Sequence, residues 1–286
     1  MKNMMKYGKT FRFVIIALLL AGVSTPSSAG LNFPSFKKDG KGDKSPDTFH
    51  RLSEEEQQEL TEMAKAARAA YSGKYMPIGF RPIFQDEWKK CAAGCDEITY
   101  TTDGYFNVGS GLRGRLMIDM MNGDRVILAL SGCDFAIGKK EFLKDFGQCV
   151  KHYFTCSAAQ YKQALKVMNG VLALQPRSEL WIVGHSLGGS LTTYLALNLP
   201  KGRTKVKCAT FNGYGISPLF LNFFVDSKLA AERLRNVYCV NDVVFKVPGA
   251  KHYGPAYSLD TSVDWLDAHD LELMIKLMVA NRVGWW

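Results

Sequence analysis

Apolar positions fall into two registers along this chain. Tyr161, Leu165, Met168 and Leu172 recur at helical spacing and predict a helix over Ser157–Leu174, with Pro176 beyond its end. Leu180–Val183, Lys205–Phe211 and Val237–Val240 are instead short apolar runs, as strands of a buried sheet require. Ser53 with Glu56 forms a capping pair that opens an Ala-rich helix running to Tyr71. Gly104 to Ser131 reads as β structure, where an Asn122-Gly123-Asp124 turn separates Arg115–Asp119 from Arg125–Leu130. A further helix ends at Pro200, a helix-prone stretch leads to Val237, and Leu266–Val279 is predicted as the last helix. Strands alternating with helices predict βαβ units, hence a single α/β domain with a mostly parallel central sheet flanked by helices. No internal repeat interrupts this pattern.

The first 29 residues break it. Lys2, Lys6, Lys9 and Arg12 precede an apolar run, Phe13–Val23, and Ser24–Ala29 ends in small residues. This is the layout of a secretory signal peptide cleaved near Ala29. The apolar run would rise only about 16 Å as a helix, against a hydrocarbon core of roughly 30 Å. Residues 30–47, rich in Gly, Pro, Ser, Lys and Asp, read as a flexible leader, and the domain is expected over 48–286. The expectation is an exported protein, secreted or periplasmic.

Composition changes the picture little. The chain has 286 residues, 47% of them hydrophobic and 22% charged, which excludes a disordered or fibrous protein. The formal net charge is +9, and loss of residues 1–29, with four basic residues and no acid, leaves +5. That excess forms no basic stripe, so no nucleic-acid partner is expected; it permits a mild, transient attraction to anionic membrane surfaces. Seven cysteines (91, 95, 133, 149, 156, 208 and 239) in an oxidising compartment make disulfides plausible and leave at least one thiol over. Cys91/Cys95 and Cys149/Cys156 are close enough for local bridges, whereas Cys208 and Cys239 sit in apolar runs and read as buried thiols. No metal or cofactor is implied, since Cys91-x-x-x-Cys95 has no second ligand pair at suitable spacing.

The chemistry concentrates in Glu179-Leu-Trp-Ile-Val-Gly-His-Ser-Leu-Gly-Gly-Ser190. Gly184-His185-Ser186-Leu187-Gly188 is a G-x-S-x-G between an apolar strand and a helix, the context in which a sharp turn lifts a serine hydroxyl above a sheet. Bulkier side chains at 184 and 188 would crowd that turn, and the helix start offers the Leu187 N–H to a developing oxyanion. His185 lies inside the turn and is expected to pack or hydrogen-bond there.

The segment resembles the class 3 (fungal-type) lipases of the α/β-hydrolase fold, and other stretches are similar to that family in the same order. Val126–Cys133 resembles the strand ending in the family's Arg-Gly-Thr/Ser, which supplies an oxyanion donor; here it reads Ser131-Gly132-Cys133, so the Cys133 N–H can serve but a hydroxyl is lost. Thr210–Gly215 resembles the strand and loop after the nucleophile helix, and Asn241–Pro248 the segment carrying the triad acid. His252-Tyr-Gly254 matches a His-x-Gly that follows, and His269 falls where the family has its catalytic histidine. The likeness spans roughly residues 110–280.

A serine nucleophile needs a histidine base oriented by a carboxylate, in α/β-hydrolases in the order Ser, Asp, His. Only His252 and His269 follow Ser186. The favoured triad is Ser186, Asp242 and His269, with Asp242 directly after an apolar run; Asp226, Asp260, Asp264, Asp267, Asp270 and His252 are alternatives. Pro218–Val225, densely apolar with Leu219, Phe220, Phe223 and Phe224, reads either as core or as an acyl-pocket wall or lid. The expected activity is ester hydrolysis, on a lipid or small ester. The alternatives are an acyltransferase or thioesterase with the same triad, or an inactive lipid-binding relative. Gly109–Gly114 spells G-x-G-x-x-G but is followed by a hairpin, which argues against dinucleotide binding.

Overall fold

Along the strand Arg125–Leu130, Val126, Leu128 and Leu130 join one hydrophobic core, and Ile127 and Ala129 join another. Period-2 geometry sends alternate side chains to opposite faces, so a strand apolar throughout must be covered on both sides. The computed structural model describes residues 47–71, 75–83, 85–91, 98–121, 125–132, 157–175, 178–216, 227–246 and 250–283, all within one compact unit spanning Ser45–Trp286. The predicted signal peptide, nearly all of the leader, the Asn122-Gly123-Asp124 turn, Cys133 and the segment 218–225 lie outside the described residues.

In chain order the strands are β1 (Asp47–Thr48), β2 (Phe80–Pro82), β3 (Ile98–Tyr100), β4 (Tyr105–Val108), β5 (Arg113–Asp119), β6 (Arg125–Leu130), β7 (Glu179–His185), β8 (Val206–Phe211), β9 (Leu234–Cys239) and β10 (Ala256–Leu259). The helices are α1 (Glu54–Ala69), α2 (Gln85–Cys91), α3 (Ser157–Leu174), α4 (Leu187–Leu197), α5 (Ser227–Arg233), α6 (Trp265–Ala268) and α7 (Leu271–Val283). The sheet order is β1-β10-β9-β8-β7-β6-β5-β4-β3, with β2 also on β5. From β6 to β1 every pairing is parallel, while β5, β4, β3 and β2 add an antiparallel flank. This is the α/β-hydrolase arrangement expected from the sequence.

One layer packs Tyr161 and Met168 of α3 and Leu191 and Leu195 of α4 against Leu128, Ile182 and Cys208. The other packs Leu60, Met63 and Ala67 of α1 and Leu271, Met274 and Met278 of α7 against Ile127, Val183, Ala209 and Val237. An Arg68–Glu272 ion pair joins α1 to α7. Cys208 and Cys239 are buried free thiols whose pKa values burial pushes up to about 12, so they stay protonated and inert. The side chain of Cys91, like Cys95, Cys149 and Cys156, lies outside the described residues. Among the described residues no helix is long and apolar enough to cross a membrane.

The last predicted helix needs correction. Leu266–Val279 is two helices, α6 and α7, separated by His269 and Asp270. The cause is a pair of side-chain caps. Asp264 Oδ1 accepts from the Asp267 N–H at 3.0 Å, and Asp270 Oδ1 accepts from the Leu273 N–H at 2.8 Å. Aspartate at such positions satisfies the orphan donors of a helix start, so Asp270 begins a new helix where periodicity alone reads a continuous one. The break leaves His269 between two helices, free to turn toward the sheet. The Gly109–Gly114 segment joins β4 to β5 as a hairpin, with Gly111 at φ +85° and the Gly111 N–H on the Val108 carbonyl at 2.7 Å.

Candidate active site

The parallel strands β6, β7, β8 and β9 all end on the same side, and the polar side chains of interest follow those ends. In α/β sheets this is where ligands bind. Ser186 follows β7 and caps α4 with φ 58°, ψ −126°, a left-handed conformation for a residue with a Cβ. Three backbone bonds pin it: its N–H to the Phe211 carbonyl at 3.2 Å, and its carbonyl to the N–H groups of Gly189 (2.9 Å) and Tyr214 (3.4 Å). Its hydroxyl makes no cap bond, so it is not spent on the helix. The turn is tight enough to demand its glycines. A Cβ on Gly184 would lie 2.2 Å from the Gly188 carbonyl oxygen, and one on Gly188 would lie 2.1 Å from the Leu130 carbonyl oxygen.

Ser186 Oγ lies 3.0 Å from His269 Nε2. His269 Nδ1 lies 3.1 and 3.2 Å from the two carboxylate oxygens of Asp242. All three side chains are buried. Asp242 Oδ1 also accepts from the Val244 N–H at 2.9 Å, so the turn after β9 fixes the carboxylate. With Nδ1 facing a carboxylate, the proton of a neutral imidazole sits there, and Nε2 is left to accept from the serine hydroxyl. The sequence-predicted triad residues are therefore brought together. The alternatives are not: Asp264 and Asp270 are helix caps, and Asp226 lies outside the described residues.

His252 is turned elsewhere. Its Nε2 donates to the Phe245 carbonyl at 2.8 Å, and its ring stacks on Phe245, which in turn stacks on Tyr238. Burial lowers its pKa below the ordinary histidine value.

His185 has a defined role of its own. Its Nε2 lies 2.9 Å from the His269 carbonyl, so that nitrogen carries the hydrogen and Nδ1 accepts. The donor to Nδ1 is the Tyr71 hydroxyl, at 2.7 Å. The same hydroxyl oxygen accepts from the Gly132 N–H at 2.9 Å. Three hydrogen bonds thus run from the end of β6, through the end of α1, to the backbone of the histidine loop. Burial, then the neighbouring His269, lower the His185 pKa well below its ordinary value, so it stays a neutral connector. Tyr71 was legible in the sequence only as the end of a helix; nothing in its local pattern reveals a partner so distant. Asn212, described below, was legible only as part of the loop after β8.

Leu187 opens α4, so its N–H has no acceptor within the helix and points to the side where Ser186 lies. Gly132 packs directly against the nucleophile, where a Cβ would come within 2.8 Å of Ser186 Cβ. The other expected oxyanion donor, Cys133, and the expected acyl-pocket residues Leu219, Phe220, Phe223 and Phe224 lie outside the described residues. Among the described residues no group of three or more His, Cys, Asp or Glu side chains could hold a metal ion.

A strained serine between a parallel strand and a helix, with a histidine and a buried aspartate in line behind it, defines the class: a carboxylic ester hydrolase of the α/β-hydrolase fold. The family model described as a phospholipase-like, Tle-like phospholipase domain matches residues 62–250, more than half of the chain, and the chain belongs to that family. The fungal-type lipase resemblance read from the sequence agrees with this membership. The chain is also similar to solved structures of fungal lipases. A triacylglycerol lipase from Penicillium expansum is 18% identical, with 73% of this chain and 81% of that chain covered and a TM-score of 0.44. A lipase from Rhizopus microsporus var. chinensis is 17% identical, covering 82% of this chain and 84% of that one, with a TM-score of 0.45. The Rhizomucor miehei lipase propeptide complex, in a deletion-mutant form, is 12% identical over 84% of this chain and 82% of that one, with a TM-score of 0.48. No curated protein matches the chain.

Proposed function

We propose that this protein is an exported lipase or phospholipase that cleaves carboxylic esters of apolar acyl chains through an acyl-enzyme. The observation that carries the reading is the alignment of Ser186 Oγ, His269 Nε2 and Asp242 at hydrogen-bonding distances. Ser186 Oγ attacks the ester carbonyl carbon while its proton passes to His269 Nε2. Asp242 stabilises the imidazolium through the Nδ1–H, and the N–H groups of Leu187 and Cys133 receive the negative oxygen. The C–O bond of the ester then breaks, and the alcohol leaves with the proton from Nε2. Water adds to the acyl-enzyme by the same route in reverse, its proton passing through His269 to Ser186 Oγ as the carboxylic acid departs. Every step uses side chains and backbone of this chain.

Membership of a phospholipase-like family supports a lipid ester as substrate. The densely apolar stretch Pro218–Val225, which follows the loop after β8 in the sequence, supports an apolar acyl chain as part of the substrate. The charge pattern of residues 1–29 supports export, and the +5 remaining supports transient contact with anionic lipid surfaces, weakening as salt rises. The test compares wild type with Ser186→Ala on p-nitrophenyl acetate, octanoate and palmitate and on phosphatidylglycerol vesicles. Loss of all turnover in folded Ser186→Ala, with wild-type kcat/KM higher for octanoate or palmitate than for acetate, is the expected result. Retained turnover in the variant overturns the mechanism, and acetate as the best substrate overturns the lipid assignment.

A further inference from the structure

His269 stands where no regular element holds its backbone. It lies between α6 and α7, and Asp270 has already been committed to capping α7. Two side chains grip the carbonyls on either side of its peptide unit. His185 Nε2 donates to the His269 carbonyl, and Asn212 Nδ2 donates to the Ala268 carbonyl at 2.7 Å. The other end of the Asn212 amide is equally engaged, since its Oδ1 accepts from the Cys239 N–H at 2.8 Å. The two partners fix the orientation of the amide, because the reverse would set an N–H against an N–H. Asn212 therefore ties the end of β9, three residues before Asp242, to the residue before His269.

The backbone of Asn212 makes this role unusual. It has φ 43°, one of only two positive-φ residues other than glycine among the described residues; the other is Ser186. A left-handed turn at the end of β8 is glycine's conformation, and Gly213 stands beside it. After glycine, asparagine is among the residues that enter this region most readily, and here its fully buried side-chain amide is engaged at both ends. The turn aims the amide across the strand ends toward the histidine loop.

We propose that Asn212 is a positioning residue for catalysis, holding His269 in line between Asp242 and Ser186 by fixing the Ala268 carbonyl. The proposal rests on the triad assigned above. The turn admits glycine or asparagine, and only asparagine supplies an amide that reaches the histidine loop.

Asn212→Gly relaxes the backbone while deleting both bonds, and Asn212→Asp keeps the acceptor for the Cys239 N–H but cannot donate to the Ala268 carbonyl. For both, kcat for p-nitrophenyl octanoate is expected to fall on the order of 10- to 100-fold with KM within about twofold, as a misplaced general base requires. The rate at which a fluorophosphonate labels Ser186 should fall in proportion, since that reaction draws on the same activated hydroxyl. The melting temperature of Asn212→Gly should fall, because the buried Cys239 N–H and Ala268 carbonyl lose these partners. The fall in kcat at constant KM and the slowed labelling of Ser186 therefore carry the test, since a purely structural role would move neither. Should the glycine variant not fold, the aspartate variant decides on the same kinetic terms. Wild-type kcat and labelling rate in a folded variant overturn the proposal. Ser186→Ala, run alongside, distinguishes the failures: if it still turns over, the triad itself is wrong, and if it is inactive while the Asn212 variants are unimpaired, only the positioning role is wrong.

Discussion

The Tyr71 hydroxyl lies 2.7 Å from His185 Nδ1, although 114 residues separate the two in the chain. Tyr71 follows the last turn of α1, on the face of the sheet opposite α4, and its hydroxyl closes the gap between that helix and the elbow. Because the same oxygen accepts the Gly132 N–H, the loop after β6 and the loop bearing His269 are held through one phenol. The end of a helix is an economical place for such a bridge, since the last turn leaves the chain free to depart from the helix axis.

Tyr71→Phe keeps the ring and its edge contact with His185 and removes only the hydroxyl. The Gly132 N–H and His185 Nδ1 then lose their partners inside the protein, at a cost of about 1–3 kcal/mol. Gly132 precedes Cys133, the proposed oxyanion donor, so kcat should also fall, on the order of tenfold. Urea unfolding and p-nitrophenyl ester hydrolysis check the two effects separately. Unchanged kcat would mean that the loop after β6 keeps its place without the phenol.

The two histidines that follow Ser186 differ in what they touch. His269→Ala removes the group in contact with Ser186 Oγ and should lower kcat on the order of 10³-fold or more. His252→Ala removes a ring stacked on Phe245 and a bond to its carbonyl, which is packing, and should lower kcat far less. Side-by-side kinetics on one ester decide the matter, and a larger loss in His252→Ala would reverse the assignment.

How much of this was readable in the chain varies with the range of the forces involved. The helix Ser157–Leu174 was read with its observed bounds because its apolar period is long and unbroken. The elbow was readable because a steric rule fixes its glycines within five residues, and Asp242 because it directly follows an apolar strand run; chain order left His252 and His269 both open, and the lipase resemblance favoured His269. The break at His269 was missed although its signal was present: Asp270 is an N-cap residue, and an apolar period continuing through it concealed the new start. Tyr71 and Asn212 carried no local signal. Their roles depend on which loops the sheet brings side by side, and one-dimensional patterning does not encode that.

Ser186 holds φ 58° as a residue with a Cβ, and such strain costs of order 1–3 kcal/mol. Ser186→Gly removes the Cβ and with it most of that cost, whereas Ser186→Ala keeps it. Both variants lack the nucleophile and should be inactive, yet the glycine variant should be the more stable by about 1 kcal/mol, less whatever chain entropy glycine restores to the unfolded state. Equal unfolding midpoints for the two would show that the elbow carries little strain. The comparison separates the energetic cost of presenting a nucleophile from the value of the hydroxyl.

Acid should weaken the fold through histidines that do not perform the chemistry. His185 is buried and His252 half-buried, and in each desolvation lowers the pKa below the ordinary histidine value, His185 the more strongly. Above an unfolded-state pKa of about 6.5 both are neutral in either state and add no pH dependence. As the pH falls below that value, the unfolded chain takes up protons that the folded protein refuses, so folding stability declines. The decline continues until the depressed folded pKa is reached, with a limiting slope of about 1.4 kcal/mol per pH unit for each histidine. The expected result is a fall in unfolding free energy between pH 7 and pH 5. His252→Gln retains a donor for the Phe245 carbonyl but has no proton to gain, so its stability should fall less steeply over the same interval. Urea unfolding at half-unit steps measures both curves. A wild-type profile flat from pH 7 to pH 5, or a His252→Gln profile as steep as wild type, would show that these rings do not resist protonation in the folded state.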